Sequence, residues 1–264
     1  MAVRRLVGVA AFLFLLAGCA GKPADRSGAA PPASPASSAP ATSAAPPQAG
    51  VRCPADVTGL EQVRFGPGGA SNLGGVILGT GRTGVVLAHQ TNGDLCMWLE
   101  YGTTLAKAGY RVLAMDMPGY GSSYDAQAVP IDDAVAAGAT LLRGTGATKV
   151  VLIGASMGGT AVLGAGTKAQ PPVAGVISLS APSVFGQVNA AEVVKQLAVP
   201  VLYAACASDG SFTDDAKQLY AATPAKTARQ LVIDACFSHG VDTLRDSTKI
   251  KSAVQAFLAK YAPA

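Results

Sequence analysis

From residue 51 onward, short apolar runs alternate with longer stretches of helical spacing, and this alternation narrows the fold more than any other feature. Val76-Ile77-Leu78, Val85 to Ala88, Tyr110 to Met115, Lys149 to Ile153, Val173 to Leu179, Val199 to Ala205 and Gln230 to Asp234 read as strands. Between them, Met97 to Ala108, Ile131 to Leu142, Met157 to Lys168, Asp214 to Ala222 and Thr248 to Tyr261 read as helices, the first of them ending at Gly109. A strand that is apolar at every position has both faces buried, so these strands belong to a mostly parallel sheet with helices on both sides. An α/β architecture follows, and in such sheets the chemistry lies at the carboxyl ends of the strands. The chain has 264 residues, 50% of them hydrophobic and 14% charged, enough apolar material for one large core.

Gly154-Ala155-Ser156-Met157-Gly158 is a G-x-S-x-G sequence, set directly after the strand ending at Ile153 and before a helical stretch. A lone match of this kind is weak, because small residues abound in this chain. The strand–turn–helix setting gives it meaning: a turn that sharp presents a serine hydroxyl at a helix N-terminus, where the dipole favours a developing oxyanion. The alternative is a glycine-rich turn with a solvated serine.

A serine needs a base to act as nucleophile. The chain has two histidines, His89 and His239. In sheets carrying this motif the chain order is serine, acid, histidine, which selects His239, in the stretch after the last strand. The acid belongs after the preceding strand, where Cys206-Ala207-Ser208-Asp209 places Asp209; its task would be to hold the imidazole in the correct tautomer. Asp214 and Asp215 read as the cap and first turn of the next helix, and Asp242 lies too close to His239 in sequence. His89 reads as a loop-fixing residue.

With these residues in place, the chain from about residue 57 resembles the α/β-hydrolase family. Val85 to Thr91 is similar to the family's strand and His-Gly loop, and Asp116 to Ser122 (DMPGYGS) to its D-x-R-G-x-G-x-S turn. The resemblance implies a serine hydrolase with the triad Ser156, Asp209 and His239, and an oxyanion hole made by the backbone N–H groups of Met157 and Thr91. Two positions depart from the pattern. Gln90 stands where the family has glycine, which leaves Gln90 and Thr91 both as donors of the second amide and the Gln90 side chain as a pocket-lining group. Pro118 stands where the family has arginine. The stretch from Ala181 to Val199 has room for a loop and one short helix, so no cap domain is expected and the cleft should be open, with Phe185, Trp98, Tyr124 and Phe212 as candidate lining residues.

The resemblance implies cleavage of a carboxylic ester through an acyl-enzyme, and the expected open cleft points to a small or polymer-attached substrate. The same triad serves amidases, thioesterases and acyltransferases, and a non-catalytic ligand-binding surface protein is the alternative from another class. No cofactor is implied, and the two histidines and scattered carboxylates form no metal-ligand cluster. The formal charge is +4, of which Arg4 and Arg5 supply two, and no dense basic stripe points to nucleic acid.

Residues 1–18 have two arginines followed by a short apolar run, the pattern of a secretory signal. Leu16-Ala17-Gly18-Cys19 resembles a bacterial lipobox, which implies lipidation at Cys19 and an exported, membrane-anchored, outward-facing protein; an ordinary signal peptide is the alternative. Residues 19–50, rich in Ala, Pro and Ser, read as a tether spanning up to roughly 100 Å at about 3.1 Å per residue, leaving residues 51–264 as the hydrolase domain. Export favours disulfides among the remaining four cysteines, for which three pairings exist. Cys206 and Cys236 end strand-like runs, so Cys206–Cys236 is expected, with Cys53–Cys96 as the second bridge.

Overall fold

The computed structural model describes Cys53, Val57 and residues 59–264. The signal segment, Cys19 and the tether lie outside the described residues. In chain order the elements are β1 (Glu61–Phe65), β2 (Leu73–Leu78), β3 (Thr83–Ala88), α1 (Leu99–Lys107), β4 (Arg111–Met115), α2 (Ile131–Gly144), β5 (Lys149–Ala155), α3 (Met157–Lys168), β6 (Gly175–Leu179), β7 (Val184–Phe185), β8 (Val188–Asn189), α4 (Ala190–Val193), β9 (Val201–Cys206), α5 (Ser211–Ala222), β10 (Arg229–Asp234), α6 (Thr243–Asp246) and α7 (Thr248–Tyr261).

Eight strands form one sheet in the order β1-β2-β4-β3-β5-β6-β9-β10. β2 runs antiparallel to both its neighbours, and the strands from β4 to β10 are parallel. This is the mostly parallel, helix-covered sheet that the apolar runs predict. The sheet divides the core into two layers. One lies on the α2–α3 side and includes Val86, Leu113, Leu152 and Val162; the other lies on the α1–α7 side and includes Leu87, Ile153, Ile177 and Phe257. Val150, Val151, Leu152 and Ile153 are all buried, each worth roughly 1.5–3 kcal/mol. That burial holds β5 in the centre of the sheet, paired with β3 on one side and β6 on the other, and so determines where the next residue, Ser156, emerges.

Some elements differ from the sequence expectation. β1 is amphipathic and half exposed at the sheet edge, so it carries no continuous apolar run. α5 begins at Ser211, three residues before Asp214, because Gly210 at φ 57° turns the chain into the helix. Asp214 therefore sits in the first turn, paired with Lys217 at 2.9 Å, and is not the cap. The stretch between β6 and β9 is the β7–β8 hairpin and short helical turns, with no cap domain. No helix among the described residues is long and apolar enough to cross a membrane.

Candidate active site

The site is built where β3, β5, β6, β9 and β10 end. Ser156 follows β5 at φ 50°, ψ −114°, and forms the N-cap of α3. A non-glycine residue in that region is strained, and it persists only where its surroundings over-determine it. Here they do. The Ser156 amide donates to the Leu179 carbonyl at 2.8 Å, and α3 closes on the Ser156 carbonyl through the Thr160 amide at 3.0 Å. The two glycines of the motif permit the close packing. A side chain at Gly154 would run into the Gly158 carbonyl, and one at Gly158 into the Ala88 carbonyl at the tip of β3.

Asp209 and His239 arrive from the two loops beyond β9 and β10. His239 Nδ1 lies 2.9 Å from Asp209 Oδ1. Asp209 is buried, and its Oδ2 makes no hydrogen bond among the described residues, so His239 is the partner that its carboxylate serves. The imidazole keeps 31% of its side chain exposed, and the Phe212 ring packs against it at 4.4 Å between centroids. With Nδ1 engaged by Asp209, Nε2 is the nitrogen left for proton exchange. No hydrogen bond joins the Ser156 and His239 side chains; the ring is set by Asp209 at Nδ1.

The two loops are joined covalently. Cys206 pairs with Cys236 across the ends of β9 and β10, with Cα atoms 4.8 Å apart, and Cys53 pairs with Cys96. Around the first bridge, the Asp209 amide donates to Cys206 O at 3.1 Å and the Ser208 amide to Cys236 O at 3.3 Å. The Asp209 turn is thereby fixed to the strand ends as well as to His239.

His89 has the structural role expected of it. Its Nδ1 donates to the Gln90 carbonyl at 2.7 Å, and its Nε2 accepts the Met117 amide at 2.9 Å. The ring is fully buried, and desolvation lowers its pKa below the ordinary histidine value. The DMPGYGS turn is organised by Asp116, whose Oδ1 accepts from the Leu95 amide at 2.8 Å and whose Oδ2 accepts from the Ser122 amide and hydroxyl at 2.7 and 2.6 Å.

Met157 opens α3 directly beside Ser156, and Thr91 sits half-buried on the loop after β3. The Gln90 Oε1 accepts the Val241 amide at 2.9 Å, turning the carboxamide toward the loop that carries His239. Sequence reasoning missed this link, and also Ser180, whose hydroxyl accepts the Gly240 amide at 3.0 Å. Neither carries a motif; a polar residue in the stretch directly after an apolar strand was the available signal. Of the expected cleft aromatics, Trp98 is entirely buried, because the helical turn at Leu95–Trp98 packs it into the α1-side core. Phe185 packs half-buried on the α3 side, and Tyr124 is 65% exposed.

Comparison with known proteins agrees with this architecture. The family described as alpha/beta hydrolase fold matches residues 84–194, from β3 through the Gly154–Gly158 turn to α4. The chain has the α/β-hydrolase fold. The esterase Pf2001 of Pyrococcus furiosus superposes with a TM-score of 0.64 at 16% identity, over 76% of this chain and 91% of that one. The esterase domain of a Rhodothermus marinus protein gives 0.60 at 19% identity, over 76% and 98%. The acylaminoacyl peptidase of Pyrococcus horikoshii gives 0.62 at 15%, over 77% of this chain and 42% of that one. No curated protein matches the chain by sequence.

Proposed function

We propose that the protein is a serine hydrolase that cleaves carboxylic esters through an acyl-enzyme. The observation that carries this reading is the 2.9 Å contact between Asp209 and His239, on loops that end beside a strained Ser156 at the start of α3. Ser156 Oγ adds to the ester carbonyl while its proton passes to His239 Nε2. The oxyanion lies against the Met157 amide and an amide of the Gln90–Thr91 loop, with the N-terminus of α3 adding its dipole. Collapse of the adduct breaks the ester C–O bond, and the departing alkoxide takes the proton from His239. Water, giving its proton to the same nitrogen, then attacks the acyl-Ser156 ester, and as the acyl C–O bond breaks His239 returns that proton to Ser156 Oγ and the carboxylic acid leaves. Asp209 holds the imidazole in the Nδ1–H tautomer and stabilises the transient imidazolium.

The short β7–β8 hairpin in place of a cap leaves the site open, which favours a small or polymer-attached ester over a long buried acyl chain. The esterases among the structural relatives support the same class. The lipobox-like Leu16 to Cys19, the Ala/Pro/Ser-rich stretch after it and the two cysteine pairs together support an exported domain tethered to a membrane by lipid at Cys19. Hydrolysis of p-nitrophenyl esters of graded chain length, beside Ser156→Ala, tests the chemistry. Turnover that falls by about a millionfold in the variant supports the acyl-enzyme route; turnover that persists contradicts it.

A further inference from the structure

The backbone just after His239 is held at two consecutive amides, and the two acceptors come from different parts of the site. Gly240 N–H donates to Ser180 Oγ at 3.0 Å, and Val241 N–H donates to Gln90 Oε1 at 2.9 Å. Ser180 is fully buried and sits at φ 50°, directly after Leu179, whose carbonyl accepts the Ser156 amide at 2.8 Å. Two adjacent residues at the tip of β6 thus hold the candidate nucleophile and the loop of the candidate base. Gln90, for its part, belongs to the loop from which the second oxyanion amide would come, and its own carbonyl accepts from His89. Gly240, at φ 60°, is fitted to this arrangement: a side chain there would overlap the Gln90 carboxamide and press on Ala155.

The segment before the clamp is fixed at Cys236 by the bridge and at Ser238 by a hydrogen bond to Asp246, which leaves the His239 ring itself to be set. Phe237 is 88% exposed, and His239 is reached from Asp209 through a single nitrogen. A hydrogen bond at Nδ1 leaves the ring free to move along with its loop, whereas two anchored amides immediately downstream remove that freedom.

We infer that Gln90 and Ser180 are positioning residues that set His239 for proton transfer, locking the base loop to the oxyanion loop and to the strand that holds Ser156. The inference rests on the serine-hydrolase reading above. It gives a physical reason for Gln90 at a position where a bare glycine would leave the Val241 amide without its acceptor.

The test uses the full-length protein with three substitutions. Gln90→Leu keeps the bulk and removes the acceptor, Gln90→Glu keeps an acceptor oxygen at the same reach, and Ser180→Gly removes the hydroxyl while relieving the positive φ. Displacement of a reacting group by about 1 Å costs on the order of a hundredfold, so Gln90→Leu and Ser180→Gly should lose roughly ten- to a hundredfold in kcat with KM little changed. Gln90→Glu should recover most of the rate. Amide exchange at Val241 should quicken in Gln90→Leu, and at Gly240 in Ser180→Gly. Wild-type kcat and unchanged exchange in both variants, with Ser156→Ala inactive, would overturn the clamp and leave the triad standing. A wild-type protein that neither hydrolyses esters nor reacts with a fluorophosphonate would remove the triad reading, and this inference with it.

Discussion

His89 and His239 end neighbouring loops at the same edge of the sheet, and the structure treats them in opposite ways. His89 is fully buried with both ring nitrogens used, one donating to a carbonyl and the other accepting an amide. That pattern admits only the neutral Nδ1–H tautomer. His239 is partly exposed and spends one nitrogen on Asp209. The difference separates a structural histidine from a candidate base by the ring nitrogens that the fold has already consumed. A saturated, desolvated imidazole can hold a loop but cannot exchange a proton, while an imidazole oriented at one nitrogen can do so at the other.

Four measurements break or sharpen this contrast. His239→Ala should lower kcat by on the order of a millionfold without unfolding the protein. His89→Asn should instead lower stability, by about 1–3 kcal/mol for each buried group left unpaired, with Ser156 in the folded fraction still reactive toward fluorophosphonate. Comparable losses of activity from the two substitutions would erase the distinction. Asp209→Asn should cost about ten-thousandfold in kcat, because the amide no longer selects the Nδ1–H tautomer; a loss below tenfold would mean that Asp209 does not orient the base.

The third measurement removes a bridge. Cys206 and Cys236 are 30 residues apart, a loop whose closure is worth about 3–4 kcal/mol in the chain-entropy account. Cys53–Cys96, with a separation of 43, is worth a similar amount. Replacing either pair with serines should therefore shift urea unfolding by similar amounts, but only the Cys206/Cys236 replacement should also depress kcat, since only that bridge joins the Asp209 and His239 loops. Equal kcat in both would separate the bridge from the site.

The smallest effect is in pH. Burial holds the His89 pKa below the 6.5 of the free side chain, so below pH 6.5 the unfolded chain binds a proton that the folded one refuses. Stability should fall with decreasing pH from 6.5 down to the folded-state value, by at most about 1.4 kcal/mol per pH unit from this group, and then level off. Thermal unfolding of His89→Asn should show a shallower dependence across that window.

What was legible in the sequence follows from how locally each feature is encoded. The parallel strands announced themselves because β3, β5 and β6 are largely apolar and almost wholly buried, and α3 was placed to the residue by the glycine-flanked turn before it. Strand order and loop position pointed to Asp209, although its 2.9 Å contact with His239 is a tertiary fact. β1 stayed hidden because an edge strand with one wet face has no continuous apolar run. Trp98 was misjudged as a cleft residue because its burial depends on how the turn before α1 packs, which no local pattern encodes. The Gln90 and Ser180 contacts span 151 and 60 residues, so only the folded chain brings their partners together.

The central claim is that Ser156 is a nucleophile activated by His239, and fluorophosphonate labelling followed by peptide mapping tests it most directly. The account predicts one phosphonylated residue, Ser156, in the wild-type protein, and labelling slowed to near background in His239→Ala. Labelling elsewhere, or at Ser156 with an unchanged rate once His239 is gone, would contradict it.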